Sequence, residues 1–176
     1  LGGRALKVLL EPGRALVARV EPLDERHGEG ERLAGARRRL REDVAAGKGI
    51  RFDIVPSSAI VASDTTYLRR ILQNLIGNAI RYTDRGRVLV GARRVAGGVR
   101  VEVIDTGPGI PQSEMKNIFR EFHRLGAKAS TSEGMGLGLA IVERACALLD
   151  HPLGLDSALG KGTRFTVTLP FAPGLH

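Results

Sequence analysis

The chain has 176 residues, 43% of them hydrophobic but only 4% aromatic and none of them Trp, so a core of Leu, Ile and Val is expected. Its formal net charge is +8, and its single cysteine, Cys146, excludes an internal disulfide and a thiolate zinc cluster. No apolar run approaches the roughly 20 residues of a membrane span and no secretory signal is visible, so a cytoplasmic domain is expected, whether or not a parent protein is held at a membrane.

Residues 1–11 (LGGRALKVLLE) read as the end of a helix stopped by Pro12-Gly13, and residues 14–22 as a strand. Residues 31–47 read as a helix with Gly47 and Gly49 near its end. Its Arg37, Arg38, Arg39 and Arg41 form the densest basic cluster. Stacking aromatics are not interleaved with them, so a solvated helix face is expected and no nucleic-acid partner. Ile50–Val55 alternates like a strand, and Ile60–Ala62 makes a second, short one. Asp64 is placed to cap a helix running to about Tyr82, with Leu68, Ile71, Leu72, Leu75 and Ala79 at helical spacing. Arg87–Val95 and Val99–Ile104 read as strands joined by Ala96-Gly97-Gly98. A short helix near Gln112–Phe119 and a glycine-rich stretch follow. A helix of about Leu137–Asp150 carries Leu139, Val142, Cys146 and Leu149 on one face, where Cys146 is expected to be buried and inert. A last hairpin pairs about Leu153–Ser157 with Thr163–Leu169. Strands in adjacent pairs between helices point to an α/β (α+β) two-layer sandwich: a mixed, largely antiparallel sheet with helices on one face.

Four patches carry candidate chemistry. Asn74 and Asn78 stand four residues apart, on one helix face opposite the apolar stripe, and Arg81 and Tyr82 continue that face. Such amides are either a solvated face or hard oxygen ligands suited to Mg²⁺. Asp105-Thr106-Gly107-Pro108-Gly109-Ile110 follows an apolar strand. It is either a plain strand-end turn or a purine pocket. In the second case the aspartate accepts from adenine's exocyclic amine, where guanine presents an acceptor, and the glycines let backbone approach the base. Gly134-Met135-Gly136-Leu137-Gly138-Leu139 opens a helix, a place where free N–H groups favour phosphate, though a flexible loop is the plainer reading. Phe119-Arg120-Glu121-Phe122 offers two aromatics for core packing or for anchoring a lid. Residues 124–133, small and polar, are expected to be mobile without nucleotide.

Taken in order, NLIGN, DTGPGI, FREF and GMGLGL resemble the N, G1, F and G2 boxes of histidine kinases, and GKGTRFTVTLP resembles that family's closing hairpin. The resemblance covers roughly residues 14–170. It implies the Bergerat-type ATP-binding sandwich, shared with DNA gyrase and mismatch-repair ATPases. It implies ATP and Mg²⁺ as ligands, with Asn78 on the metal and Asn74 nearby. It further implies adenine recognition by Asp105 with Gly107, Gly109 and Ile110, and phosphate contacts from Arg81 and from Arg124 past the second phenylalanine. Tyr82 stands beside the adenine, and Gly134, Gly136, Leu137, Gly138 and Thr163 complete the nucleotide contacts. Catalytic roles fall to Asn78, Arg81 and Arg124.

The family's phosphoacceptor is a histidine followed by an acidic residue on a dimerising helix, and none of His27, His123, His151 and His176 has that context. Residues 1–13 resemble the end of the second dimerisation helix. The expected division is therefore a remnant of that helical region at 1–13 and a catalytic domain at 14–172. The implied partners are the dimerisation/phosphoacceptor domain of the same kinase and a response regulator or receiver domain, with the full-length protein a homodimer. Two other readings share the ATP fold: an anti-sigma-type serine kinase, which FREF fits less well, and a degenerate kinase acting as an interaction module.

Overall fold

The computed structural model describes residues 4–10, 19–22, 47–122 and 136–172. In chain order they form β1 (Arg4–Leu10), β2 (Arg19–Pro22), β3 (Ile50–Ile54), β4 (Ser57–Ser63), α1 (Thr65–Tyr82), β5 (Gly86–Val95), β6 (Gly98–Asp105), α2 (Gly138–Leu148), β7 (Leu153–Ala158) and β8 (Gly162–Pro170). Two 3₁₀ turns, Gln112–Glu114 and Asn117–Phe119, stand where one short helix was expected.

α1 begins where the sequence asks it to. Asp64 is extended, and its Oδ1 accepts from the backbone N–H of Thr66 at 2.8 Å and of Tyr67 at 3.0 Å. Those donors have no partner inside the helix, so losing this cap would cost about 1 kcal/mol. Leu68, Ile71, Leu72, Leu75, Ile76, Ala79 and Ile80 form its buried stripe. Each large aliphatic side chain taken from water there stabilises the fold by about 1.5–3 kcal/mol.

That stripe packs on a five-stranded sheet ordered β3-β5-β6-β8-β7, in which β3 and β5 are parallel and the other pairs antiparallel. Alternate residues build the shared core: Val88 and Val90 from β5, Val101 and Val103 from β6, Phe165 and Val167 from β8. The alternating positions on the other face carry polar pairs, including Arg93 with Glu102 at 3.1 Å and Arg164 with Asp156 at 2.8 Å. Helices on one face of a mixed sheet are the architecture that the sequence predicts. Cys146 is buried, and desolvation pushes its thiol up to about 11, so it packs as an inert apolar group.

A second sheet of three strands, ordered β2-β1-β4, adds to that picture. The bridge Val61↔Phe171 ties it to the segment after β8. The helix end expected at residues 1–11 is thereby corrected. Arg4–Leu10 is a strand, paired antiparallel to β4 from Arg4↔Ser63 to Leu10↔Ser57 and to β2 on its other side. With partners on both edges, a seven-residue run gains more from a ladder than from two turns of isolated helix. The helix expected over residues 31–47 and its arginine cluster lie outside the described residues, save for Gly47. Among the described residues no helix is long and apolar enough to cross a membrane.

Candidate nucleotide-binding site

β6 ends at Asp105, which is 8% exposed. Gly107 donates its N–H to Asp105 Oδ1 at 2.9 Å. Burial pushes the carboxyl above the usual carboxylate range, and backbone N–H groups of Gly107 and Thr163 pull it back. Thr163 stands opposite Asp105 in the β6–β8 ladder. Its Oγ1 lies 2.9 Å from Ser157 Oγ, which in turn accepts from Ile110 N–H at 2.8 Å. The turn after Asp105 is thus fastened to the β7–β8 hairpin, and Gly160 N–H adds a bond to Pro108 O at 2.8 Å. Gly109 makes that docking feasible. Its φ is +73°, and a Cβ there would collide with the Ala158 carbonyl.

From the other side comes the last turn of α1. A Cβ on Gly107 would lie 3.1 Å from Tyr82 O and 3.3 Å from Thr83 Oγ1. That glycine therefore lets the helix end and the Asp105 turn meet. Thr83 is fully buried, and its hydroxyl has no hydrogen-bond partner among the described residues.

Between these walls lies a cavity of about 140 Å³. It brings together Asn78, Tyr82, Asp105, Gly109, Ile110 and Thr163, all expected from the sequence. The tyrosine is 46% exposed and stands at the rim. Ala79, Pro108, Ile118, Leu139 and Phe165 supply apolar walls to which the motifs assigned no role in the site. Their signal is the strand and helix periodicity itself: Phe165 and Thr163 share a face of β8, and Leu139 lies on the inner face of α2.

Asn74 and Arg81 are not among the residues lining that cavity. Asn74 donates Nδ2–H to Arg70 O at 2.9 Å, and a Cβ on Gly138 would lie 2.9 Å from its Oδ1. Gly138 therefore lets the start of α2 pass close to Asn74 on α1. Arg81 is exposed in the last turn of α1. α2 starts at Gly138 with no side-chain cap, which leaves its first N–H groups open to an anion. Gly136, at φ +69°, and Leu137 lead into it. Gly134, Arg124 and the expected mobile stretch 124–133 lie outside the described residues.

The FREF element is an anchor. Phe119 meets Phe165 edge-on, with ring centres 6.4 Å apart. Glu121 pairs with Arg144 of α2 at 2.7 Å. Phe122 is 68% exposed, with φ at +61°, and donates its N–H to Gly136 O at 3.1 Å. Among the described residues no group of three or more His, Cys, Asp or Glu is placed to hold a metal. A cation at Asn78 would need most of its oxygens from a ligand.

The family of histidine kinase-, DNA gyrase B-, and HSP90-like ATPases matches residues 63–173. The chain is similar to the aerobic respiration control sensor protein ArcB of Escherichia coli (strain K12), 38% identical over 133 residues, covering 71% of this chain and 17% of that protein. With the sensor histidine kinase RcsC of the same organism it shares 36% identity over 108 residues, 61% of this chain and 11% of that one. It thus corresponds to a small part of these relatives. Among solved structures, full-length ShkA in complex with AMPPNP superposes with a TM-score of 0.65 at 35% identity, over 78% of this chain and 29% of that one. The mycobacterial sensor histidine kinase MprB gives 0.62 at 30% identity, over 75% of this chain and 89% of that one.

Proposed function

The chain belongs to the histidine kinase-, DNA gyrase B-, and HSP90-like ATPase family and is a histidine kinase-type catalytic domain, and on that premise we propose that it binds Mg·ATP in the cavity under α1 and passes the γ-phosphoryl group to a histidine of a dimerisation domain. The observation that carries the reading is the buried carboxylate of Asp105 in a cavity with mostly apolar walls. Gly107 N–H occupies one lone pair of that carboxylate, an ionised carboxylate accepts several donors, and adenine's exocyclic amine is one. Guanine presents a carbonyl at that place, so Asp105 rejects it. Tyr82 flanks the base, while Gly107, Gly109, Ile110 and Thr163 frame it.

Asn78 has no side-chain hydrogen bond among the described residues, unlike Asn74, and its amide oxygen suits Mg²⁺. Magnesium, when bound with the triphosphate, neutralises charge on the phosphates. Arg81 and the open N-terminus of α2, with Gly136, Leu137 and Gly138, hold those phosphates in this reading. Gly134 and Arg124 are assigned the same task on their place in the motifs. The phosphoacceptor domain, a response regulator or receiver domain and a homodimeric parent are the proposed partners. The proposed setting is the cytoplasm, where ATP is supplied. Support for these comes from the sensor-kinase relatives.

Titration with ATP and GTP in the presence of Mg²⁺ tests the site, and equal affinity for both refutes it. Incubation with γ-labelled ATP tests the reaction. The chain alone is expected to remain unlabelled on histidine. Adding the phosphoacceptor region should give acid-labile phosphate on that region. Acid-stable phosphate on a partner's serine would favour the anti-sigma-type kinase, and no nucleotide binding would favour an interaction module.

A further inference from the structure

The C-terminal end of α1 is held from outside the cavity. Lys48, just before β3, donates from Nζ to the carbonyl oxygens of Arg81 at 2.8 Å and of Ile80 at 3.4 Å. Its ammonium also lies 4.0 Å from Asp84 Oδ1. Strand register explains the placement. β3 runs parallel to β5 with Ile50 opposite Gly86, and the same register carried back two residues sets Lys48 beside Asp84. Gly49, at φ +67°, makes the turn between them and the strand.

The last carbonyls of a helix lack intrahelical donors and carry its partial negative charge. One ammonium reaches two of them here, through an exposed bond to Arg81 O and a part-buried one to Ile80 O. The turn it holds is the one that shapes the cavity. Tyr82 lines the cavity, and Tyr82 O and Thr83 Oγ1 rest against Gly107 beside Asp105.

We infer that Lys48 is a positioning residue of the nucleotide site, setting where Arg81 and Tyr82 stand relative to Asp105 without touching the nucleotide. The inference rests on the nucleotide reading of the cavity proposed above. Lys48→Met keeps the apolar stem and removes the ammonium, whereas Lys48→Arg keeps a cationic donor. Capping of a partly buried helix end predicts that Lys48→Met weakens Mg·ATP binding by about 3- to 10-fold. Lys48→Arg should recover most of that loss. Amide exchange should quicken at residues 81–84 in Lys48→Met, with exchange in β6 and α2 unchanged. Wild-type ATP affinity in Lys48→Met overturns the inference. So does faster exchange throughout the chain, or an equal loss in both variants. Asp105→Asn, measured in parallel, separates the two readings. If it binds ATP as wild type does, the nucleotide reading fails and this inference with it. If it loses ATP while Lys48→Met does not, only this inference fails.

Discussion

Replacing Asp105 with Asn keeps the size of the side chain and exchanges one carboxylate oxygen for an amide donor. The oxygen that accepts from Gly107 at 2.9 Å can stay in place. The group turned to the cavity then sets a donor against the donor of adenine. Losing a hydrogen bond to a charged acceptor costs about 1.5–3 kcal/mol, or about 10- to 150-fold in Kd. Folding responds differently. Burial, opposed by the N–H groups of Gly107 and Thr163, raises the carboxyl above its ordinary value near 3.8. An acid with a raised folded pKa gives stability that is fully present below the unfolded value and lost as pH rises through the folded one. A neutral Asn has no proton to release and lacks this pH dependence. Urea unfolding over a pH series should therefore find a shallower decline of stability in Asp105→Asn than in wild type as pH rises above 3.8. Calorimetric titration with ATP measures the affinity. Unchanged ATP affinity, or weaker binding matched by an equal loss of folding stability, would refute the reasoning.

Asn78→Ala should weaken ATP binding about 10-fold in Mg²⁺ and leave metal-free binding nearly unchanged, as titrations with and without the metal would report. Gly109→Ala sets a Cβ against the Ala158 carbonyl at a φ of +73°, so it should destabilise the fold by about 1–3 kcal/mol in urea and weaken ATP binding as well. Asp150 ends α2 with a φ of +55°, and Asp150→Gly should raise stability by about 0.5–1 kcal/mol, read from the shift in denaturant midpoint. His151 is buried, with Nε2 2.8 Å from Ser63 Oγ, and desolvation holds its imidazole below the ordinary value near 6.5, with Asp150 pulling upward. A base with a depressed folded pKa gives stability that is present above the unfolded value and lost as pH falls through the folded one. Unfolding free energy should thus decline as pH drops below 6.5, and His151→Gln should flatten that decline; identical slopes would count against it.

Local signals carried most of the fold. Asp64 caps α1 through short bonds to its own neighbours, and Ala96-Gly97-Gly98 closes a hairpin whose partners are adjacent in sequence. Such features depend on few residues and are legible in a string. β1 was not, because RALKVLL suits two turns of helix as well as a strand. Its conformation is decided by β4 and β2, which lie elsewhere in the sequence. The cavity divides in the same way. Asn78, Asp105 and Gly109 stand out because amides, a strand-end carboxylate and a glycine turn are distinctive. Ile118, Leu139 and Phe165 look like any core residue, and only packing makes them walls. Asn74 stands apart from that lining. Its spacing from Asn78 suggests a shared face; its Nδ2 donates to Arg70 O, and the start of α2 passes close to it because Gly138 has no Cβ.

Asp105 and Thr163 face each other across β6 and β8, a pairing that joins two hairpins far apart in the chain. Each hairpin can close on its own contacts, but β6 meets β8 only after a long loop has closed, and such non-local pairing is slow. On the nucleotide reading, a chain with both hairpins formed and not yet docked has no floor under the base. Nucleotide therefore has nothing to grip until that docking is complete. ATP should then leave the rate of refolding nearly unchanged and act by slowing the escape from the native state. Its protection would be kinetic, felt as a longer lifetime of the docked sheet.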